Sequence, residues 1–501
     1  MKMHRVILVL LTLSSLVKAQ DRKATYQERY RPQVHFSPAA HWINDPNGMV
    51  YFKGTYHLFF QYYPDGTTWG PMHWGHAESK DLIHWKELPI ALYPDSLGYI
   101  FSGSAVVDSN NTSGFGRDGK IPLVAIFTHH DPKGEKEGKN NFQNESIAYS
   151  LDEGNTWIKY SGNPVLKNPG IRDFRDPKVM WYAKEKKWLM TLATLDHITF
   201  FSSPDLKNWK KESEFGKEIG AHGGVWECPD LFPLKLNGKT YWVLIVNLNP
   251  GGPNGGSATQ YFVGEFNGNK FTPIDNTLRW AEYGPDEYAG VTWSNTGSRK
   301  IFLGWMSNWQ YANQVPTEKW RNAMTIPREL GLKDVDGHLL LTSNPVKELS
   351  VIEQKQQTIN GALLKGKPAT GIPGHFALKF NIAKIHDYAI VLSNSAGEKL
   401  IVGYHSADKR YYIDRTKSGK TDFNPQFAKI AYSPRLTDAA ASNLVLVVDG
   451  SSVELFADKG LSVMTEIFFP EKVYNQLQIS TQKKLGISNL KLLRLKSIWV
   501  K

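Results

Sequence analysis

Five times before about residue 310, a short apolar run meets a turn and is answered by a second run rich in β-branched and aromatic residues. Each such unit predicts a β-hairpin. The first is Met49-Val-Tyr-Phe turning at Lys53-Gly54 toward Gln61. The second joins Ser104-Ala-Val-Val to Leu123-Val-Ala-Ile-Phe-Thr, and the third joins Val179-Met-Trp-Tyr to Trp188-Leu-Met-Thr-Leu. The fourth crosses Asn237-Gly238 between Leu231-Phe-Pro-Leu and Thr240-Tyr-Trp-Val-Leu-Ile-Val. The fifth links Gly290-Val-Thr-Trp to Ile301-Phe-Leu-Gly-Trp. A second echo runs with the first: Ser79-Lys-Asp-Leu-Ile-His-Trp85 resembles Ser203-Pro-Asp-Leu-Lys-Asn-Trp209, with a looser version from Ser150 to Trp157. Repeats of roughly 50 to 70 residues, all strand and without helical periodicity between them, fit the blades of a propeller.

Beyond about residue 340 the texture becomes alternating strands such as His375-Phe-Ala-Leu-Lys-Phe, Leu444-Val-Leu-Val-Val and Val453-Glu-Leu-Phe, separated by Gly, Asn and Asp turns. That pattern predicts a β-sandwich. The expected fold is therefore all-β, a five-bladed β-propeller over residues 26–340 followed by a C-terminal β-sandwich over residues 348–501. Two domains are also what 501 residues call for. The join, Thr342-Ser-Asn-Pro-Val-Lys347, is too short for a flexible linker, so the domains should pack rigidly.

The N-terminus pairs Lys2, His4 and Arg5 with an apolar run from Val6 to Leu13 and ends in small and polar residues, which predicts a cleaved signal peptide over residues 1–19. No later stretch approaches the roughly 20 apolar residues of a membrane span. Cys228 is the one cysteine, so no intramolecular disulfide forms and no lipid-carrying cysteine lies near the cleavage site. A secreted or periplasmic protein without a membrane anchor is expected. The formal charge of +11 is scattered among acids and not gathered into a stripe, which argues against nucleic acid as a partner.

Three hairpins are introduced by a carboxylate: Asn44-Asp45-Pro46-Asn47-Gly48, Arg175-Asp176-Pro177 and Trp226-Glu227-Cys228-Pro229. If each opens the inner strand of a blade, the three acids ring one axis and meet in one funnel. Like charges gathered there raise at least one pKa, leaving a protonated acid beside an ionised base, the division of labour that glycosidic cleavage needs. Each motif also has a structural reading, as an ordinary turn or an ion pair. His73-Trp-Gly-His76 lacks a third ligand at metal spacing, so no metal site is expected. Pro250-Gly-Gly-Pro-Asn-Gly-Gly256 opens no helix and reads as a loop, not a phosphate cradle. No cofactor is expected.

Taken together, Trp42-Ile-Asn-Asp-Pro-Asn-Gly48, Phe101-Ser-Gly-Ser104, Arg175-Asp-Pro177 and Glu227-Cys-Pro229 resemble glycoside hydrolase family 32, the invertases, inulinases, levanases and related fructosyltransferases. Ile43 stands where many members have methionine. The resemblance covers nearly all the mature chain, including Val448-Asp-Gly-Ser-Ser-Val-Glu-Leu-Phe456. It implies Asp45 as nucleophile, Glu227 as general acid and later base, and Asp176 as transition-state stabiliser. It further implies fructosyl contacts from Asn44, Gln61, Trp69, Phe101, Ser102, Arg175 and Trp305, with Trp42 lining the same pocket. The segment Gly304 to Thr317 is similar to exo-acting bacterial inulinases and levanases, so the expected activity is release of terminal fructose from levan, inulin or sucrose. An endo-acting enzyme, a fructosyltransferase and a non-catalytic fructan-binding propeller are the alternatives.

Overall fold

A computed structural model of the chain describes residues 25–356 and 367–499; the predicted signal peptide lies outside the described residues. Among the described residues the strands form seven sheets, five of four or five strands and then two of six. The five smaller sheets follow one another along the chain, and each predicted hairpin supplies the first two strands of one sheet. Their first strands are His41–Phe52, Tyr99–Val107, Phe174–Tyr182, Val225–Leu236 and Tyr288–Thr292. Each of these strands contacts the next, and the fifth contacts the first, so they close a ring around one axis. The first domain is a five-bladed propeller.

Two local devices build the blades. The Ser-x-Asp echo forms the corner between third and fourth strands in three of them. In the first blade Ser79 Oγ bonds Asp81 Oδ1, which also accepts the backbone N–H groups of Ile83 and His84. Ser203 and Asp205 repeat these contacts, and Ser150 and Asp152 make a looser version. The residue after the aspartate is left-handed in all three, with φ of 67° at Leu82, 64° at Leu206 and 62° at Glu153. Side-chain acceptors for turn N–H groups are why Ser and Asp recur at this spacing.

The second device is a bulge near the start of every inner strand. The ladder slips between Ile43 and Pro46, Ile100 and Gly103, Arg175 and Lys178, Glu227 and Asp230, and Tyr288 and Val291. A bulge re-aims side chains that regular alternation would send to either face. The ring is closed by Trp320–Arg321, which pairs in parallel with His41 and Trp42.

The last strand of the fifth sheet, His338–Pro345, passes through a 3₁₀ turn, Lys347–Ile352, into the second domain. There the two six-stranded sheets face each other across Leu378, Phe380, Ile390, Leu392, Val402, Ile413, Leu446 and Leu455. Alternating burial along Tyr388–Ser393 and Arg410–Lys417 is that of sheets with one face inward. The second domain is a β-sandwich.

One apolar cluster runs from Trp42, Tyr288 and Met324 of the propeller to Ala377, Val447, Phe456 and Leu495 of the sandwich. Charged groups cross the same boundary. His35 lies between Asp449 and Glu454 at 2.9 and 2.8 Å, Arg328 pairs with Glu282 and Glu454, and Arg415 pairs with Asp286. The two ends of the described residues also meet, with Trp499 stacked on Tyr26 and donating to the Pro32 carbonyl at 2.7 Å. Both the apolar and the ionic contacts across this boundary are buried.

Candidate active site

The bulges of four inner strands aim Asp45, Ser102, Asp176 and Glu227 into a pocket of about 260 Å³. Its lining also includes Asn44, Gln61, Trp69, Phe101, Arg175, Gln143, His130 and Trp309. Asp45 Oδ2 accepts Ser102 Oγ at 2.6 Å and the Cys228 thiol at 3.4 Å, while Oδ1 accepts only Asn44 Nδ2 at 3.0 Å. Asn44 is held in turn by Trp42 Nε1 at 2.8 Å. Asp176, left-handed at φ 66°, sits with Oδ2 against the Cys228 N–H at 3.0 Å and the thiol at 3.6 Å. The sulfur of Cys228 thus lies between the two aspartates.

Glu227 is gripped at both oxygens. Oε1 accepts Arg175 Nε and Nη2 at 3.2 and 3.0 Å, and Oε2 accepts the Tyr288 hydroxyl. Arg175 also pairs with Asp173 at 2.6 Å and approaches Asp176 at 3.9 Å, so one guanidinium serves the third and fourth blades together. These acids crowd one cation. Burial, then the Glu227 charge, pushes the Asp45 carboxyl above its usual value against the hydrogen bonds of Ser102, Asn44 and Cys228. Burial likewise raises Asp176 to about 7, with Arg175 opposing and Glu227 and Asp45 reinforcing the rise. The cluster therefore keeps a proton toward neutral pH.

This crowding has a measurable sign. A carboxyl raised to about 7 in the fold, from 3.8, binds its proton more tightly folded than unfolded. Its contribution favours the fold at low pH and is lost as pH rises from about 4 through 7. Asp176→Asn is expected to melt higher than the wild type at pH 8, with a difference that shrinks at pH 5, by calorimetry at both values. Equal differences at the two pH values would remove Asp176 from the account.

Of the residues implied by resemblance, Asn44, Gln61, Trp69, Phe101, Ser102 and Arg175 line the pocket with the three acids. Gln61 donates to the Ile100 carbonyl at 3.0 Å, and Trp69, 41 % exposed, meets Phe101 edge to face at 6.2 Å. Trp42 and Trp305 do not line it. Both are fully buried, because Trp309 packs over them with ring centroids 5.9 and 4.9 Å away and takes the place at the pocket wall. Trp42 acts one layer back, through Asn44.

Sequence reading missed Trp309, Tyr288, Gln143 and His130. Tyr288 had a signal, since it heads the fifth inner strand just as the acids head theirs. His76, raised as part of a His-x-x-His pair, turns away from His73 to meet His57 at 3.1 Å; burial keeps both rings of this contact below the usual histidine pKa. No group of three or more metal-ligating side chains occurs among the described residues.

Comparison with known proteins matches this architecture domain by domain. The Glycosyl hydrolases family 32 N-terminal domain matches residues 35–343, and the Glycosyl hydrolases family 32 C terminal domain matches residues 345–494. A levanase of Bacillus subtilis (strain 168) is 46 % identical over 509 residues, covering 98 % of this chain and 74 % of the relative. An extracellular exo-inulinase of Aspergillus niger is 43 % identical over 486 residues, covering 89 % and 90 %. Among solved structures, the exo-inulinase from Aspergillus awamori superposes with a TM-score of 0.86 at 38 % identity over 95 % of this chain and 100 % of that one. The fructofuranosidase from Schwanniomyces occidentalis in complex with fructose does so with a TM-score of 0.84 at 34 % identity, over 94 % and 99 %. With both domains matched and the fold shared over nearly its whole length, the chain belongs to glycoside hydrolase family 32.

Proposed function

We propose that this chain is a retaining, exo-acting β-fructosidase that frees terminal fructose from β-fructans and sucrose. The observation that carries it is the convergence of Asp45, Asp176 and Glu227, each from a different blade, in one small polar pocket. Its volume of about 260 Å³ falls below the roughly 300–1,000 Å³ of most ligand pockets, which suits a single sugar unit and not a run of several. The names of the levanase and exo-inulinase relatives support the same substrate class. Export is part of this reading, supported by the N-terminal charge and apolar pattern and by extracellular relatives; among the described residues no helix is long and apolar enough to cross a membrane.

In this mechanism Asp45 attacks the anomeric carbon. Oδ1 is the attacking atom, because Oδ2 already accepts Ser102 and Cys228. Glu227 protonates the departing oxygen from Oε2, since Oε1 is paired with the Arg175 cation whereas Oε2 meets only the neutral Tyr288 hydroxyl. The products of this step are a free alcohol and a fructosyl ester on Asp45. Glu227, now ionised, takes a proton from water, whose oxygen attacks the anomeric carbon and breaks its bond to Asp45, releasing fructose and leaving Asp45 ionised and Glu227 protonated. Asp176 accepts fructosyl hydroxyls and, with the ionised cluster, faces the positive charge that the ring develops in the transition state.

Digestion of levan, inulin and sucrose, resolved by chromatography over time, tests the mode of action. Fructose is the expected first and dominant product from both polymers. Oligosaccharides appearing before fructose would overturn the exo reading, and fructosylated products at high sucrose would turn it toward transfer.

A further inference from the structure

The mechanism leaves Glu135, a charged side chain of the pocket, without a task. Glu135 stands on Pro132–Lys136, the α-helix of the second blade, whose N-terminus is capped by Asp131 Oδ1 accepting the Lys133 N–H at 3.0 Å. It lines the same pocket as the three acids, at the opposite end of an exposure gradient. Asn44, Gln61, Ser102, Asp176 and Gln143 are buried, whereas Trp69 is 41 % exposed and the Glu135 side chain 42 %. Trp69 and Glu135 therefore form the mouth. A sugar held at the floor by Asp45 and Asp176 must send its leaving group past them.

The protonation of this mouth is fixed by its neighbours. Gln143 Oε1 accepts the Phe174 N–H at 2.9 Å, which turns Nε2 toward His130 Nδ1 at 3.3 Å. Nδ1 is thereby an acceptor, the His130 proton sits on Nε2, and Nε2 donates to Glu135 Oε2 at 3.0 Å. Burial, reinforced by Arg175 and opposed by Glu135 and Asp131, keeps the His130 ring below its usual pKa, so it is a neutral donor at working pH. The same ring lies flat on Phe101 at 4.2 Å, and Phe101 backs Trp69. Glu135 Oε1 is different: its one charged neighbour is Arg172 Nη2 at 3.6 Å, beyond hydrogen-bond distance, on a side chain 52 % exposed. One carboxylate oxygen is anchored, and the other accepts no hydrogen bond among the described residues, on a side chain 42 % exposed.

We infer that Glu135 is a specificity-determining residue that accepts a hydroxyl of the leaving sugar at the pocket mouth, opposite the Trp69 face, and so selects sugar leaving groups over simple alcohols. This rests on the fructosidase reading above. A structural role for Glu135, as the His130 and helix anchor, would act on all substrates alike, because the leaving group would not enter into it.

Sucrose and methyl β-D-fructofuranoside separate the two, since they share the fructosyl unit and differ in releasing glucose or methanol. With the full chain and its Glu135→Ala and Glu135→Gln variants, kcat/KM is measured on both. Loss of a charge-assisted hydrogen bond predicts that the sucrose to methyl-fructoside ratio falls about tenfold or more in Glu135→Ala, mainly through KM, and less in Glu135→Gln, whose carbonyl still accepts. A ratio that stays at the wild-type value in Glu135→Ala, whether both activities hold or fall in parallel, overturns the assignment, and the Gln variant supplies the same comparison if the Ala variant fails to fold. A wild-type chain inactive on both substrates would instead remove the fructosidase reading beneath it.

Discussion

Asp45→Ala is expected to leave less than about one part in a thousand of wild-type kcat/KM on sucrose, because no other group in the pocket is placed to form the covalent intermediate. Glu227→Ala should lose roughly 10²–10⁴-fold, the usual worth of a positioned general acid. The two losses differ in kind. On a fructoside whose leaving group departs as a stable anion, such as p-nitrophenolate, the first step no longer needs protonation, so the Glu227→Ala deficit should narrow while the Asp45→Ala deficit should not. Asp45→Ala should melt no lower than the wild type, since it removes one carboxylate from a crowded cluster. Residual activity above about a tenth of wild type in either variant would sink the assignment of roles, and a collapsed melting temperature would mark the loss as unfolding.

The second large effect concerns stability. Arg328 is fully buried at the domain boundary, where Nε donates to Glu454 Oε2 at 3.0 Å, Nη2 donates to Thr465 Oγ1 at 2.6 Å, and Nη1 pairs with Glu282. Its guanidinium also lies 5.2 Å from the Phe456 ring centroid. Arg328→Ala leaves two buried carboxylates facing each other, and breaking a buried pair in this way costs about 3–5 kcal/mol. Because one apolar cluster spans both domains, the loss should appear as a single urea transition moved to lower denaturant, not as one domain melting early. A shift worth under about 1 kcal/mol would mean that water or rearrangement satisfies the stranded acids. The neighbouring His35 adds a pH signature. Burial opposes its charge, yet the Asp449 and Glu454 hydrogen bonds prevail and raise it to about 9. Its contribution is complete below about 6.5 and is lost as pH rises through 9.

The blades were legible because their hairpins carry local marks: Lys53-Gly54 and Asn237-Gly238 have the positive φ that tight turns demand, and the strands beside them are β-branched and aromatic runs. The sandwich announced itself the same way. Asp45, Asp176 and Glu227 stood out because each heads a hairpin, a relation visible along the chain. What could not be read were side-chain contacts that only the folded backbone brings about. Trp305 looks like a pocket residue until Trp309, four residues on, is seen to fold over it. Arg328 and Glu454 are 126 positions apart, and nothing near either names the other. The bulges were hidden too, since the slip that turns Asp176 toward the axis is a property of a pair of strands and not of one.

The parallel pairing of Trp320–Arg321 with His41 and Trp42 ties the start of the first blade to a segment far downstream in the chain. Trp42 holds Asn44, and Asn44 holds Asp45, the proposed nucleophile. All three acids are synthesised by residue 227, but the strand that bears Asp45 lacks its parallel neighbour until residue 321 exists. A chain interrupted between these points contains all three acids without the segment that pairs with the start of the first blade. The topology thus makes the support of Asp45 depend on residues that lie far downstream of all three acids.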